Sequence, residues 1–132
     1  MIVRQAIVAD PRVLQAEVPA REAAALLAKP NVSSVFVADG DRLLGCVTKE
    51  AVVAAVAADR DLRNLAVREL ADPDVPSVSP GVPLDEALIL MAKGGHERLA
   101  VVENGKLLGI LPREPVVRRL AEDDPPPPPE EP

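Results

Sequence analysis

Short apolar runs bounded by turn residues alternate along the chain with longer amphipathic stretches. In the second half, apolar runs over 99–102 and 107–111 flank Asn104-Gly105. Asn-Gly supplies the two positive backbone dihedrals of a tight hairpin turn, so this segment predicts strand, turn, strand. An amphipathic stretch over 82–93 precedes it, another over 114–121 follows, and a short strand is expected over 75–78. Pro83 opens the first of these helices, where its missing N–H has no intrahelical partner. Leu84, Ala87, Leu88 and Met91 form the buried stripe of that helix, and Gly94-Gly95 ends it. Pro115 falls in the first turn of the other helix, where it is tolerated.

The first half follows the same plan. A strand over 13–18 leads to a helix opened by Pro19, with Ala23, Ala24, Leu26 and Leu27 inward and Lys29-Pro30-Asn31 at its end. Strands over 35–38 and 43–47 are joined by Asp39-Gly40-Asp41, and Thr48 stands where an N-cap belongs. Ala51, Val52, Ala55 and Val56 are expected to face the core from the helix that follows. Shifted by 64 residues, 3–57 falls on 67–121 without a gap, with 18 identities in 55 positions. Among them are Val18/Val82, Pro19/Pro83, Glu22/Glu86, Gly45/Gly109 and Val52/Val116. Two copies are too few for a solenoid. A unit of this size buries only about 60% of its unfolded surface and is marginal alone, so two βαββα units sharing one core are expected. The boundaries are 1–57 for the first motif, 58–66 for a solvated linker, 67–121 for the second motif and 122–132 for a tail. Residues 1–8 align with 65–72, so each of these segments is expected to pack as the entry to its own repeat.

Each copy resembles a CBS motif, and the tandem resembles a CBS pair, or Bateman module. The resemblance rests on Val78-Ser79-Pro80, Val82-Pro83-Leu84-Asp85-Glu86-Ala87, the stretch from Gly95 to Val102 and that from Gly105 to Leu111. In the first copy it rests on 18–23, on Val32-Ser33-Ser34-Val35-Phe36-Val37 and on Leu43-Leu44-Gly45-Cys46-Val47-Thr48. It implies an α+β fold of two βαββα motifs about a pseudo-twofold axis, with small sheets packed against helices. It also implies a homodimer, adenosine-type ligands in clefts between the motifs, and no chemistry of the chain's own. Val52, Val53, Val56, Val116 and Val117 exceed what one buried helix face needs, which agrees with an interface.

In nucleotide-binding members of that family, a Thr that meets phosphate is followed after two residues by an Asp. The Asp carboxylate bonds both ribose hydroxyls, as an ionised acceptor can. Here the Asp positions are Ala51 and Pro115, and the second Thr position is Pro112. Phe36 and Ala100 replace the proline usual in the second strand. The resemblance therefore leaves as cleft candidates Gln15 and Ser77 on the first strands, Phe36, Thr48, His96 and Arg98. Arg98 matches a basic position that contacts phosphate in some members, against the plainer role of a surface cation. His96 stands where an imidazole could stack on a base, against a half-exposed histidine bonded to a neighbour. Thr48 is an N-cap before it is a ligand contact, and any nucleotide site that survives is expected beside it.

Composition narrows the function classes. The chain is 48% hydrophobic but 1% aromatic, with Phe36 alone, so the core is aliphatic and no platform exists for stacking single-stranded nucleic acid. The net charge of −6 belongs mostly to the end of the chain: Glu122, Asp123, Asp124, Glu130 and Glu131 leave 16 acids against 15 bases over 1–121. No basic stripe marks a nucleic-acid or membrane surface, and the clefts are expected to be near neutral. One histidine and one cysteine cannot build a metal site, and neither a nucleophile elbow nor a phosphate loop occurs. Cys46 aligns with Ile110 inside a strand, which suits a buried, inert thiol. Pro125-Pro126-Pro127-Pro128-Pro129 predicts an extended polyproline II tail. The expected protein is a stand-alone, cytoplasmic, non-enzymatic binding module without a cofactor, sensing a small molecule such as an adenine nucleotide. The alternative is a ligand-free module acting through dimerisation or docking of a partner protein.

Overall fold

The computed structural model describes residues 1–7, 12–114 and 117–118. In chain order the elements are β1 (Val13–Gln15), α1 (Ala20–Leu27), β2 (Ser34–Asp39), β3 (Arg42–Thr48) and α2 (Lys49–Ala57). The second half adds β4 (Ser77–Val78), α3 (Leu84–Gly94), β5 (Arg98–Glu103) and β6 (Lys106–Pro112). A 3₁₀ turn precedes each half, over Val3–Ala6 and Val67–Leu70. The tail expected over 122–132 lies outside the described residues. Of the helix expected over 114–121, Glu114, Val117 and Arg118 are described, and they are helical, as is Arg113.

Local chemistry accounts for these elements. Asn104 and Gly105 take φ of 54° and 80°, the pair of positive dihedrals that lets a two-residue turn match the strand twist. Gly95, at φ 67°, caps α3 in the left-handed conformation. The Thr48 side chain accepts from the Ala51 N–H at 3.2 Å, satisfying one orphan donor at the start of α2. Pro19 and Pro83 occupy equivalent N-caps. One inward assignment is corrected: Val56 is 55% exposed, and among the residues of α2 only Ala55 is buried. That helix is apolar around most of its circumference, so periodicity could not select its inner face.

In each half the first strand pairs parallel with the second, which pairs antiparallel with the third. The two small sheets expected from the repeat join into one of six strands, ordered β1-β2-β3-β6-β5-β4. They meet at Arg42 and Lys106, flanked by mirrored bonds from Leu43 N–H to Gly105 O and from Leu107 N–H to Asp41 O. At the seam Phe36, Cys46, Ala100 and Ile110 form a shared cluster of two equivalent pairs, 36/100 and 46/110. Phe36 is bulky where Ala100 is small, so the axis is filled by unequal partners.

The entry segments correct the sequence-based expectation. Val3, fully buried, packs with Leu84, Met91, Leu99 and Leu111 of the second half. Val67, also fully buried, packs with Leu27, Val35, Val37 and Val47 of the first. The backbone bonds mirror this exchange: Val3 N–H donates to Val82 O and Val67 N–H to Val18 O, while Leu84 N–H donates to Met1 O and Ala20 N–H to Leu65 O. Each half thus completes the other. Within 58–66, Leu65 is buried and Ala66 bridges to Pro19, whereas 58–61 and 63–64 are exposed.

Candidate functional site

Two clefts open where the halves meet. The smaller, about 300 Å³, is lined by Ser33, Ser34, Phe36, Cys46, Thr48, Asp72, Asp74, Pro76, Gly95, His96, Glu97 and Arg98. The larger, about 800 Å³, is lined by Arg12, Asn31, Glu97, Arg98, Pro112, Arg113, Glu114, Val117 and Arg118. The 64-residue shift carries one lining onto the other: Pro76 onto Arg12, Gly95 onto Asn31, Thr48 onto Pro112, and Ser33-Ser34 onto Glu97-Arg98. The clefts are therefore equivalent in position and unequal in chemistry.

Arg98 is the wall between them. It is not a surface cation, since only 6% of it is exposed. Placed at the start of β5 opposite Pro112, it donates through Nη2 to the Ser34 carbonyl, and Ser34 Oγ lies 3.4 Å away. Its guanidinium sits 5.3 Å from the centroid of the Phe36 ring, a cation–π contact at a desolvated site. A buried guanidinium is tolerated because its charge meets a carbonyl dipole and an aromatic face.

In the smaller cleft Asp72, Asp74 and Glu97 set three carboxylates against Arg98. Asp72 is held by two antiparallel backbone bonds to Cys46, at 2.8 and 3.0 Å. This approach is close enough to require glycine next door: a Cβ on Gly45 would lie 2.4 Å from the Asp72 carbonyl oxygen. Burial pushes the Cys46 thiol above its ordinary pKa, the Asp72 carboxylate adds to the rise, and Arg98 opposes it. The thiol therefore stays protonated and unreactive at neutral pH. His96 is half-buried, with its ring folded over Gly94, so that a Cβ there would come within 2.5 Å of Nε2.

The sequence candidates divide. Phe36, Thr48, His96 and Arg98 line the smaller cleft, and Arg98 lines both. The Thr48 hydroxyl caps α2. Gln15 and Ser77 are not among the residues lining either cleft. Gln15 is exposed and clamps the β2–β3 turn, accepting from Gly40 N–H at 2.8 Å and donating to Gly40 O at 3.2 Å. Ala51, at the missing acid position, lies in the first turn of α2; Pro115 lies outside the described residues. The expectation of near-neutral clefts is corrected among the described residues: those lining the larger include four arginines against two glutamates, those lining the smaller an acidic excess. Chain-wide charge balance concealed this separation. Arg12, Arg113 and Arg118 were missed because they are scattered among ordinary surface charges in sequence. Among the described residues there is no group of three or more metal-binding side chains, and no helix is long and apolar enough to cross a membrane.

The family profile of the CBS domain matches the chain twice, over residues 3–58 and 67–122. An inosine-5'-monophosphate dehydrogenase from Thermoplasma acidophilum is 28% identical over 118 residues, covering 86% of this chain but only 22% of that protein's length. Among solved structures, a Vibrio cholerae protein assigned to acetoin utilization (AcuB) superposes with a TM-score of 0.77 at 26% identity, over 96% of this chain and 98% of the other. CBSX2, solved in complex with AMP, superposes with a TM-score of 0.72 at 25% identity, over 92% and 96% of the two chains.

Proposed function

The chain belongs to the CBS domain family, and from that premise we propose that it is a non-enzymatic regulatory module sensing a small molecule between its two motifs. The observation that carries this reading is the pair of equivalent clefts at the seam, both walled by Arg98. The AMP complex of CBSX2 supports an adenine nucleotide as one ligand class. Binding of AMP or ATP is nevertheless weak in this proposal. Ala51 offers no carboxylate to a ribose, and the Thr48 hydroxyl already serves the backbone of α2. Two lost hydrogen bonds to a charged group, at about 1.5–3 kcal/mol each, amount to roughly one to three decades of affinity once partial compensation is allowed for. Titration calorimetry with AMP, ADP and ATP at physiological ionic strength tests this, together with native mass spectrometry for retained ligand. The expected dissociation constants are weaker than about ten micromolar. Tighter binding would mean that other residues have replaced the ribose contact. Ala51→Asp should strengthen binding at the smaller cleft; no change would overturn the assignment of that position.

Exposed valines favour a second reading, in which the module works through dimerisation or partner docking. Val53 is 66% exposed, Val56 55% and Val117 47%. In this proposal a homodimer forms through that helical face, with motifs over 1–57 and 67–121. Sedimentation equilibrium should show a dimer at micromolar concentration, and a monomer would remove this reading. A cytoplasmic setting belongs to the same proposal; the buried free thiol of Cys46 suits a reducing compartment.

A further inference from the structure

We propose that the seat holding residues 1–7 on the second half also accepts that segment from a second copy of the chain, giving a dimer by segment exchange. Among the described residues, the hydrogen bonds that the segment makes beyond itself all reach the second half. Val3 N–H donates to Val82 O and Arg4 N–H to Pro80 O, both at 2.9 Å, while Met1 O accepts from Leu84 N–H at 3.0 Å. Its ion pair, Arg4 to Glu103 at 3.4 Å, ends on β5. Val3 is buried among Leu84, Met91, Leu99 and Leu111, and Ala6 and Ile7 pack against the same cluster. The first half, to which the segment is joined through 8–11, supplies none of these partners. The seat is therefore complete without the half that carries its occupant.

Both sides of this contact are ordered by local chemistry. Within the segment, Gln5 Oε1 accepts from Ile2 N–H at 2.8 Å and Ile2 O from Gln5 N–H at 3.1 Å, closing the 3₁₀ turn on itself. On the seat, Pro80 and Pro83 fix the backbone that offers the Pro80 and Val82 carbonyls. A turn that meets a preformed seat loses little freedom on docking. The mirror segment is tied more firmly. Leu62 O, just ahead of it, accepts from Arg21 N–H, Arg60 pairs with Glu69, and Arg68 with Glu17 at 2.9 Å. Residues 1–7 have one ion pair between exposed side chains. An exchanged copy makes the same bonds and buries the same side chains, so the two arrangements differ only in the tether. The tether gives the chain's own segment a high effective concentration, and a second copy competes as protein concentration rises. This dimer is distinct from one formed through the exposed valines, because its interface is the buried Val3 cluster itself.

Cross-linking between two singly substituted full-length chains tests the exchange. One carries Arg4→Cys and the other Glu103→Cys; both positions are exposed, so neither substitution disturbs the core. The chains are mixed in equal amounts, refolded together from urea over a range of concentrations and treated with a short bismaleimide. Peptide mapping then identifies links between positions 4 and 103, which in this mixture join different molecules. The expected result is an inter-chain link whose ratio to closed monomer rises roughly tenfold for each roughly tenfold increase in concentration, as a bimolecular step competing with a unimolecular one requires. A chain carrying both substitutions sets the intramolecular yield. Repeating the mixture with Val53→Asp in both chains, which disrupts association through the valine face, should leave the link unchanged. Cross-linking confined to the doubly substituted chain would overturn the proposal. So would an inter-chain link that disappears with Val53→Asp, since the contact would then belong to the helical face.

Discussion

Replacing Val3 by alanine tests the exchange of entry segments between the halves. Val3 is fully buried against Leu84, Met91, Leu99 and Leu111, although it precedes the other motif in the chain. The substitution removes two buried carbons, worth about 0.8 kcal/mol each. Neighbours on α3 and the sheet can close only part of the space, which adds up to about 1 kcal/mol. The expected loss is therefore about 1.6–2.6 kcal/mol, or roughly 5–13 °C in Tm for a domain of this size. Far-UV circular dichroism in urea is the suitable readout, because the chain has no tryptophan or tyrosine. Val67→Ala, its mirror in the first half, should cost the same. Double-mutant cycles then identify the half: Val3→Ala should couple to Leu111→Ala and be additive with Val47→Ala, which lies in the other cluster. A loss below about 0.5 kcal/mol for Val3→Ala, the range of an ordinary surface change, would refute the exchanged packing. So would coupling to Val47 instead of Leu111.

Three further outcomes follow from single contacts. Gly45→Ala drives a Cβ into the Asp72 carbonyl and should cost about 1–3 kcal/mol, whereas Gly81→Ala meets nothing within 4 Å and should be neutral or slightly stabilising in the same melts. Arg98→Met keeps the stem but abandons the Ser34 carbonyl and the Phe36 face, so a loss of about 2–3 kcal/mol by urea unfolding is expected; an unchanged midpoint would show that the charge contributes no stability. Because burial raises the Cys46 pKa, its thiolate opposes folding: stability is intact below the ordinary thiol range and falls as pH rises through it. Iodoacetamide should accordingly label the native chain far more slowly than the urea-unfolded chain at pH 8, and equal rates would contradict the buried placement.

Much of this architecture is set by short-range chemistry and is legible in the chain itself. Asn104-Gly105 specifies its turn because few residues accept two positive φ values in succession. Thr48 caps α2 and Gly95 ends α3 through bonds spanning a few residues, and the 64-residue repeat reports that two such units exist. An internal repeat states which segments are equivalent, but packing into one's own half and packing into the other's produce the same alignment. Only the tertiary structure decides that Val3 belongs with Leu111 and Val67 with Val47. Side-chain charge is decided at the same level. Arg12, Arg98, Arg113 and Arg118 are dispersed over more than a hundred residues, and the fold brings them to one cleft while Asp72 and Asp74 line the other. Local pattern determines elements because their bonds are local; the character of a cleft depends on distances through space, which no linear period encodes.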